Sequence, residues 1–177
     1  MALISQQRIA AFLQRGDTAT TNTEKGRALE DLICYLFPKV PGVSVWRRNE
    51  LDAFGNEEFD VLFWNKGKAN GLYFFPATFL AECKNSANPV GSRDIVNFIS
   101  TLKSRGCDHG ILVAAYGITG TSSPPTHSYN QIAVALRERI KILPITRENI
   151  ISLRTSDDLV ELLKLRLCGL AWKGTAV

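Results

Sequence analysis

The chain has 177 residues, enough for one compact domain, and its 45% hydrophobic content is ordinary for a globular protein. A formal charge of +4 is a mild basic excess that permits a polyanionic partner without requiring one. The four cysteines, Cys34, Cys83, Cys107 and Cys168, form no C-x-x-C pair and no histidine stands at zinc spacing, while no apolar run approaches the ~20 residues of a bilayer span. A disulfide scaffold, a zinc module and a membrane helix are therefore not expected; a soluble protein of the reducing cytoplasm is.

Residues 4–15 have a helical period that Gly16 is expected to stop, and the polar DTATTNT stretch follows as a connector. Thr21 and Glu24 stand at capping-box spacing before a stripe of Leu29, Leu32, Ile33 and Leu36, which predicts a helix over 23–37 ended by Pro38. Two strands should come next, VSVWRR at 43–48 and EFDVLFW at 58–64, joined by a polar turn around Gly55. LYFFPATFLAECK then reads as one or two strands broken near Pro76.

Beyond it, Ile95, Val96, Ile99 and Leu102 predict a helix over 92–105. GILVAAYG at 110–117 is a continuously apolar strand of the kind covered on both faces. A Gly/Thr/Ser/Pro-rich loop, a helix near 128–140, a short KILPIT strand and a final helix capped by Ser156 complete the chain. The order predicts an α/β fold with a mixed sheet flanked by helices, divided as an N-terminal helix and connector (1–22) before a main domain with a C-terminal helical extension (23–177).

Three carboxylates occupy costly positions. In an extended strand Asp60 shares a face with Leu62 and Trp64, which places it among large apolar groups, and Glu82 shares one with Leu80 and Lys84. Glu30 borders the buried stripe of its helix beside Ile33, Cys34 and Phe37. Taken singly, each is an ordinary ion-pair partner: Glu82 with Lys84, Asp60 with Arg47 or Arg48, Glu30 with Arg27. Taken together, carboxylates converging beside a lysine make an oxygen-rich site suited to Mg²⁺ or Mn²⁺ and to phosphoryl chemistry. His109 and His127 lack a Cys or Ser partner and read as ordinary polar residues; Trp46, Trp64 and Trp172 read as core or interface.

Glu30 on a helix, Asp60 on a strand and Glu82-Cys83-Lys84 on the next strand resemble the PD-(D/E)xK nuclease superfamily, with its restriction-endonuclease-like fold. KGRALEDL followed by an aspartate strand and ECKN is similar to the Mrr-like group. The resemblance runs from about Lys25 to Gly117. It implies a metal-dependent deoxyribonuclease in which Asp60, Glu82 and the Cys83 backbone carbonyl hold Mg²⁺ or Mn²⁺, Glu30 acts through water, and Lys84 stands beside the attacking water. Phe59 replaces the usual proline before the aspartate, and Ser92, Arg93, Asp94 and Asn97 stand where Mrr-like proteins often carry a glutamine.

Arg47, Arg48, Lys66, Lys68 and Arg93 are the candidate contacts to DNA. The expected form is a homodimer, because cutting both strands takes two sites, and a larger defence or repair complex is a further expected partner. The expected role is restriction or defence, or the processing of DNA structures; a Holliday-junction-type resolvase and a non-catalytic nucleic-acid-binding scaffold are the alternatives.

Overall fold

A computed structural model of the protein describes residues 1–51, 58–122 and 124–175. Its elements are α1 (Gln6–Thr18), α2 (Asn22–Leu36), β1 (Val43–Leu51), β2 (Glu58–Asn65), β3 (Thr78–Lys84), α3 (Ser92–Ser104), β4 (His109–Ala114), α4 (His127–Arg137), β5 (Lys141–Thr146), α5 (Arg147–Ser152) and α6 (Ser156–Lys173). The strands form one sheet in the order β1-β2-β3-β4-β5, antiparallel through β3 and parallel from β3 to β5. This is the expected mixed sheet; the predicted turn around Gly55 lies outside the described residues.

Local chemistry accounts for most boundaries. The Thr21 hydroxyl accepts the Glu24 N–H at 3.2 Å, and the Glu24 carboxylate accepts the Thr21 N–H at 3.2 Å, which is the reciprocal box that starts α2. Pro38 then turns the chain through a short 3₁₀ segment, Phe37–Lys39. All six residues of β4 are buried, as the unbroken apolar run requires. Pro144 is tolerated in β5 because that strand is an edge, paired only with β4.

Three expectations give way, and one short helix is additional. Gly16 does not stop α1 but lies buried inside it, where a Cβ would stand 2.7 Å from Asn85 Nδ2; the glycine lets α1 approach the chain leaving β3. The segment before Pro76 is no strand: Asn65 Nδ2 donates to the Leu72 carbonyl at 2.8 Å and to those of Phe75 and Pro76, holding a turn whose Leu72 and Phe75 side chains enter the core. Phe75 meets Phe79, which stacks on Phe63, which meets Phe37. Thr155, not Ser156, caps α6, while the buried Ser156 hydroxyl accepts the Ala2 N–H at 2.8 Å. The six-residue α5 gave no signal because it is too short to show a period.

One hydrophobic cluster runs through the molecule, and Ile9 and Leu13 of α1 belong to it. On the sheet face shared by Leu80, Glu82 and Lys84, α3 packs over Gly110, where an added Cβ would meet Phe98 Cζ at 2.6 Å and Leu102 Cδ1 at 2.7 Å. Gly110→Ala should therefore lower the stability to urea unfolding by about 1–3 kcal/mol through overpacking, and an unchanged midpoint would contradict this packing.

Candidate active site

β2 and β3 are paired through Leu62↔Leu80 and Val61↔Ala81, and one further step along this register sets Asp60 beside Glu82 where the ladder ends. Asp60 Oδ2 accepts the Cys83 backbone N–H at 2.6 Å. The Lys84 carbonyl faces the opposite way, accepting the Ala115 N–H beyond β4 at 3.0 Å. Because a strand residue's N–H and C=O leave along the same edge, the Cys83 carbonyl is directed to the β2 side, toward the two carboxylates. Lys84 Nζ lies 2.7 Å from Glu82 Oε1.

Electrostatics mark the pair as strained. Burial first, and then the neighbouring Glu82 charge, push the Asp60 carboxyl up to about 7, against the pull of the Cys83 N–H; Glu30 adds to the rise and Lys84 opposes it. Burial works against the Lys84 ammonium, but the Glu82 charge and hydrogen bond, with Asp60 behind them, hold it above its ordinary value. Asp60 is largely buried, with the partly buried Leu62 beside it packed on the core, and the apolar surround opens only toward the exposed Trp64.

Glu30 is 6% exposed, and its Oε2 accepts from Asn49 Nδ2 at 2.9 Å and Arg48 Nη2 at 3.3 Å. Arg48 also binds Asp31 Oδ1 at 2.7 Å, and Asp31 in turn pairs with Arg15. Neither of the anticipated pairings, Glu30 with Arg27 or Asp60 with Arg48, is the one formed. Arg48, a candidate DNA contact, is engaged by Glu30 and Asp31 of α2. Asn49, which adopts φ +49° and helps hold Glu30, carried no sequence signal.

Arg47 is half-exposed and lies 3.3 Å from Glu50. Arg93 is exposed in the first turn of α3, after the loop that leaves β3 at Lys84. Lys66 and Lys68 are exposed beyond Asn65, at the far end of β2, on the order of 20 Å from Asp60 by strand rise, so the fold separates them from the carboxylate pair.

Among the described residues no three His, Cys, Asp or Glu side chains come close enough to hold an ion together. The converging donors are instead two carboxylates and a backbone carbonyl, with Glu30 near enough to act on Asp60 electrostatically. An all-oxygen set in which burial and a neighbouring carboxylate both disfavour the ionised form of one carboxyl suits a hard divalent cation.

A mixed sheet with helices on both faces, with a carboxylate pair and lysine where two of its strands stop pairing, is an α/β architecture of the restriction-endonuclease-like class. The chain belongs to the Mrr restriction endonuclease family, whose catalytic-domain model (Mrr_cat, restriction endonuclease) matches residues 21–143. That span opens on the Thr21 cap and closes inside β5, enclosing Glu30, Asp60, Glu82 and Lys84. No curated protein matches the chain.

A sign follows for pH. The folded-state pKa of Asp60 is raised from 3.8 to about 7, so the folded protein binds more protons than the unfolded chain across that window, and this group's contribution to stability falls as pH rises through it. Chemical denaturation in EDTA should show the stability of Asp60→Asn rising relative to the parent between about pH 4 and pH 7, with Asn retaining an acceptor for the Cys83 N–H. A difference that stays constant with pH would contradict the strained pair.

Proposed function

We propose that the protein is a divalent-metal-dependent endonuclease that hydrolyses DNA phosphodiester bonds, with Asp60, Glu82, Lys84 and the Cys83 carbonyl as its reacting centre. The observation that carries this reading is the meeting of Asp60, Glu82 and Lys84 at the open end of the β2–β3 ladder, in a chain of restriction-endonuclease family.

Asp60 and Glu82, with the Cys83 carbonyl, would hold Mg²⁺ or Mn²⁺, and Glu30 would reach it through water. The ion, when bound, polarises a phosphoryl oxygen and lowers the pKa of a bound water. Lys84, kept protonated by Glu82, places a positive charge where negative charge develops on the phosphate. Arg48 and Asn49 fix the Glu30 carboxylate, so they position rather than react. Of the candidate DNA contacts, Arg47 and Arg93 are exposed and would neutralise phosphates. One chain supplies one such centre, so cutting both strands takes two copies.

Labelled duplex, single-stranded, branched and RNA substrates, each incubated with Mg²⁺ and with Mn²⁺, test the reading directly. Cleavage of at least one DNA form that stops in EDTA and in Asp60→Asn is expected; metal binding without cleavage of any substrate would favour a non-catalytic scaffold. Lys84→Ala should lower turnover by roughly two to four orders of magnitude while the metal affinity measured by calorimetry changes little, because the lysine acts on the transition state. Equal losses of affinity and rate would assign Lys84 to structure.

A further inference from the structure

The face of β2 that carries Asp60 continues through Leu62 to Trp64, and there the sheet is open. Trp46 and Trp64 are 58% and 40% exposed, with ring centroids 6.5 Å apart and planes inclined at 47°. With Leu62 and Thr78 they line an open groove of about 360 Å³. The register of β1 shifts between Val45 and Arg47, and this irregularity lets Trp46 and Arg47, consecutive in sequence, both reach this face: Arg47 stands opposite Leu62, and its guanidinium lies 5.5 Å from the Trp46 ring centroid. Two exposed indoles with a cation at their edge, itself paired with Glu50, are therefore a built feature of the sheet, where core or interface positions were expected.

We propose that Trp46 and Trp64 form a stacking platform for unpaired nucleotides of the DNA substrate, with Arg47 at its edge facing the phosphates. The inference rests on the nuclease reading and adds a preference for DNA that has unpaired bases close to the cut. Three observations select this occupant. Trp64 is four residues from Asp60 on the same strand face, roughly 13 Å at strand rise, so a chain held at the carboxylates passes the platform within a few nucleotides. The edge residue is basic, and its exposed guanidinium can exchange the Glu50 carboxylate for a phosphate. The exposed indole area, on the order of 250 Å² by the usual size of the side chain, is well below the roughly 800 Å² per partner of a stable protein interface, yet enough for one or two bases. Stacking is tolerant of sequence because every base has a π-face.

The test measures DNA affinity by anisotropy in EDTA, using full-length Asp60→Asn as the parent so that nothing is cut, on fully paired duplex and on the same duplex carrying a short single-stranded gap or flap. Joint replacement of Trp46→Ala and Trp64→Ala should weaken binding to gapped and flapped DNA by roughly 10–100-fold and to paired duplex by less than about threefold. Trp46→Phe with Trp64→Phe, which keeps both π-faces, should restore most of the loss. In a Trp172→Phe background the remaining indole fluorescence should be quenched by gapped DNA and not by duplex.

Equal weakening on paired and unpaired DNA, or no weakening on either, would overturn the platform while leaving the nuclease reading intact. A parent that binds no DNA of any form would instead sink that reading. A parent dimer in sedimentation that the alanine pair abolishes, with DNA affinity unchanged, would assign the groove to a second copy.

Discussion

Two carboxylates brought to one strand crossing repel each other, and the β2–β3 register leaves Asp60 and Glu82 no alternative. Val61 and Ala81 are buried in the same ladder, so slipping β2 by one residue against β3 would turn Val61 and Phe63 out of the core. The apolar side of the sheet thus fixes the polar side. Core packing on one face sustains the strain on the other, and the parallel β3–β4 pairing holds Glu82 and Lys84 from behind. A cost of this kind persists in a fold where surrounding structure over-determines it, and a cation bound at the proposed site would relieve it.

Around that pair the remaining polar groups divide their work. Lys84 answers Glu82 directly, and the Cys83 N–H answers Asp60. Glu30, though buried beside them, is held by Arg48 and Asn49 of β1, which ties α2 to the sheet edge. Asn85, just past Lys84, donates to the Lys25 carbonyl at the start of α2 and lies against Gly16 of α1. The strand that carries the lysine is thereby fastened to the helix that carries Glu30. The N-terminal helix contributes to the placement of the site even though it lies outside the matched family span.

Much of this was legible in the sequence, for identifiable reasons. The Thr21–Glu24 box, the apolar β4 run and the alternation of EFDVLFW are short-range signals, and each formed the element it predicted. The Glu82–Lys84 pairing also followed from strand alternation alone. What could not be read was long-range partnership. Arg48 reaching Glu30 and Asp31, Asn65 clamping the Leu72–Pro76 turn and Gly16 yielding to Asn85 depend on chain segments brought together only by folding. Exposure of Trp46 and Trp64 was hidden for the same reason, since an aromatic residue on a strand reads as core until it is known which face the helices cover.

Proton release on metal binding tests the central claim most directly. If Asp60 is held partly protonated by burial and by Glu82, an ion that binds between them must displace that proton. Titrating Mg²⁺ or Mn²⁺ calorimetrically near pH 6, in two buffers of different ionisation enthalpy, should show release of close to one proton per ion. The release should fade by about pH 8.5 and be absent in Asp60→Asn. Binding whose enthalpy is the same in both buffers, or is unchanged in Asp60→Asn, would contradict a strained carboxylate pair as the metal's seat.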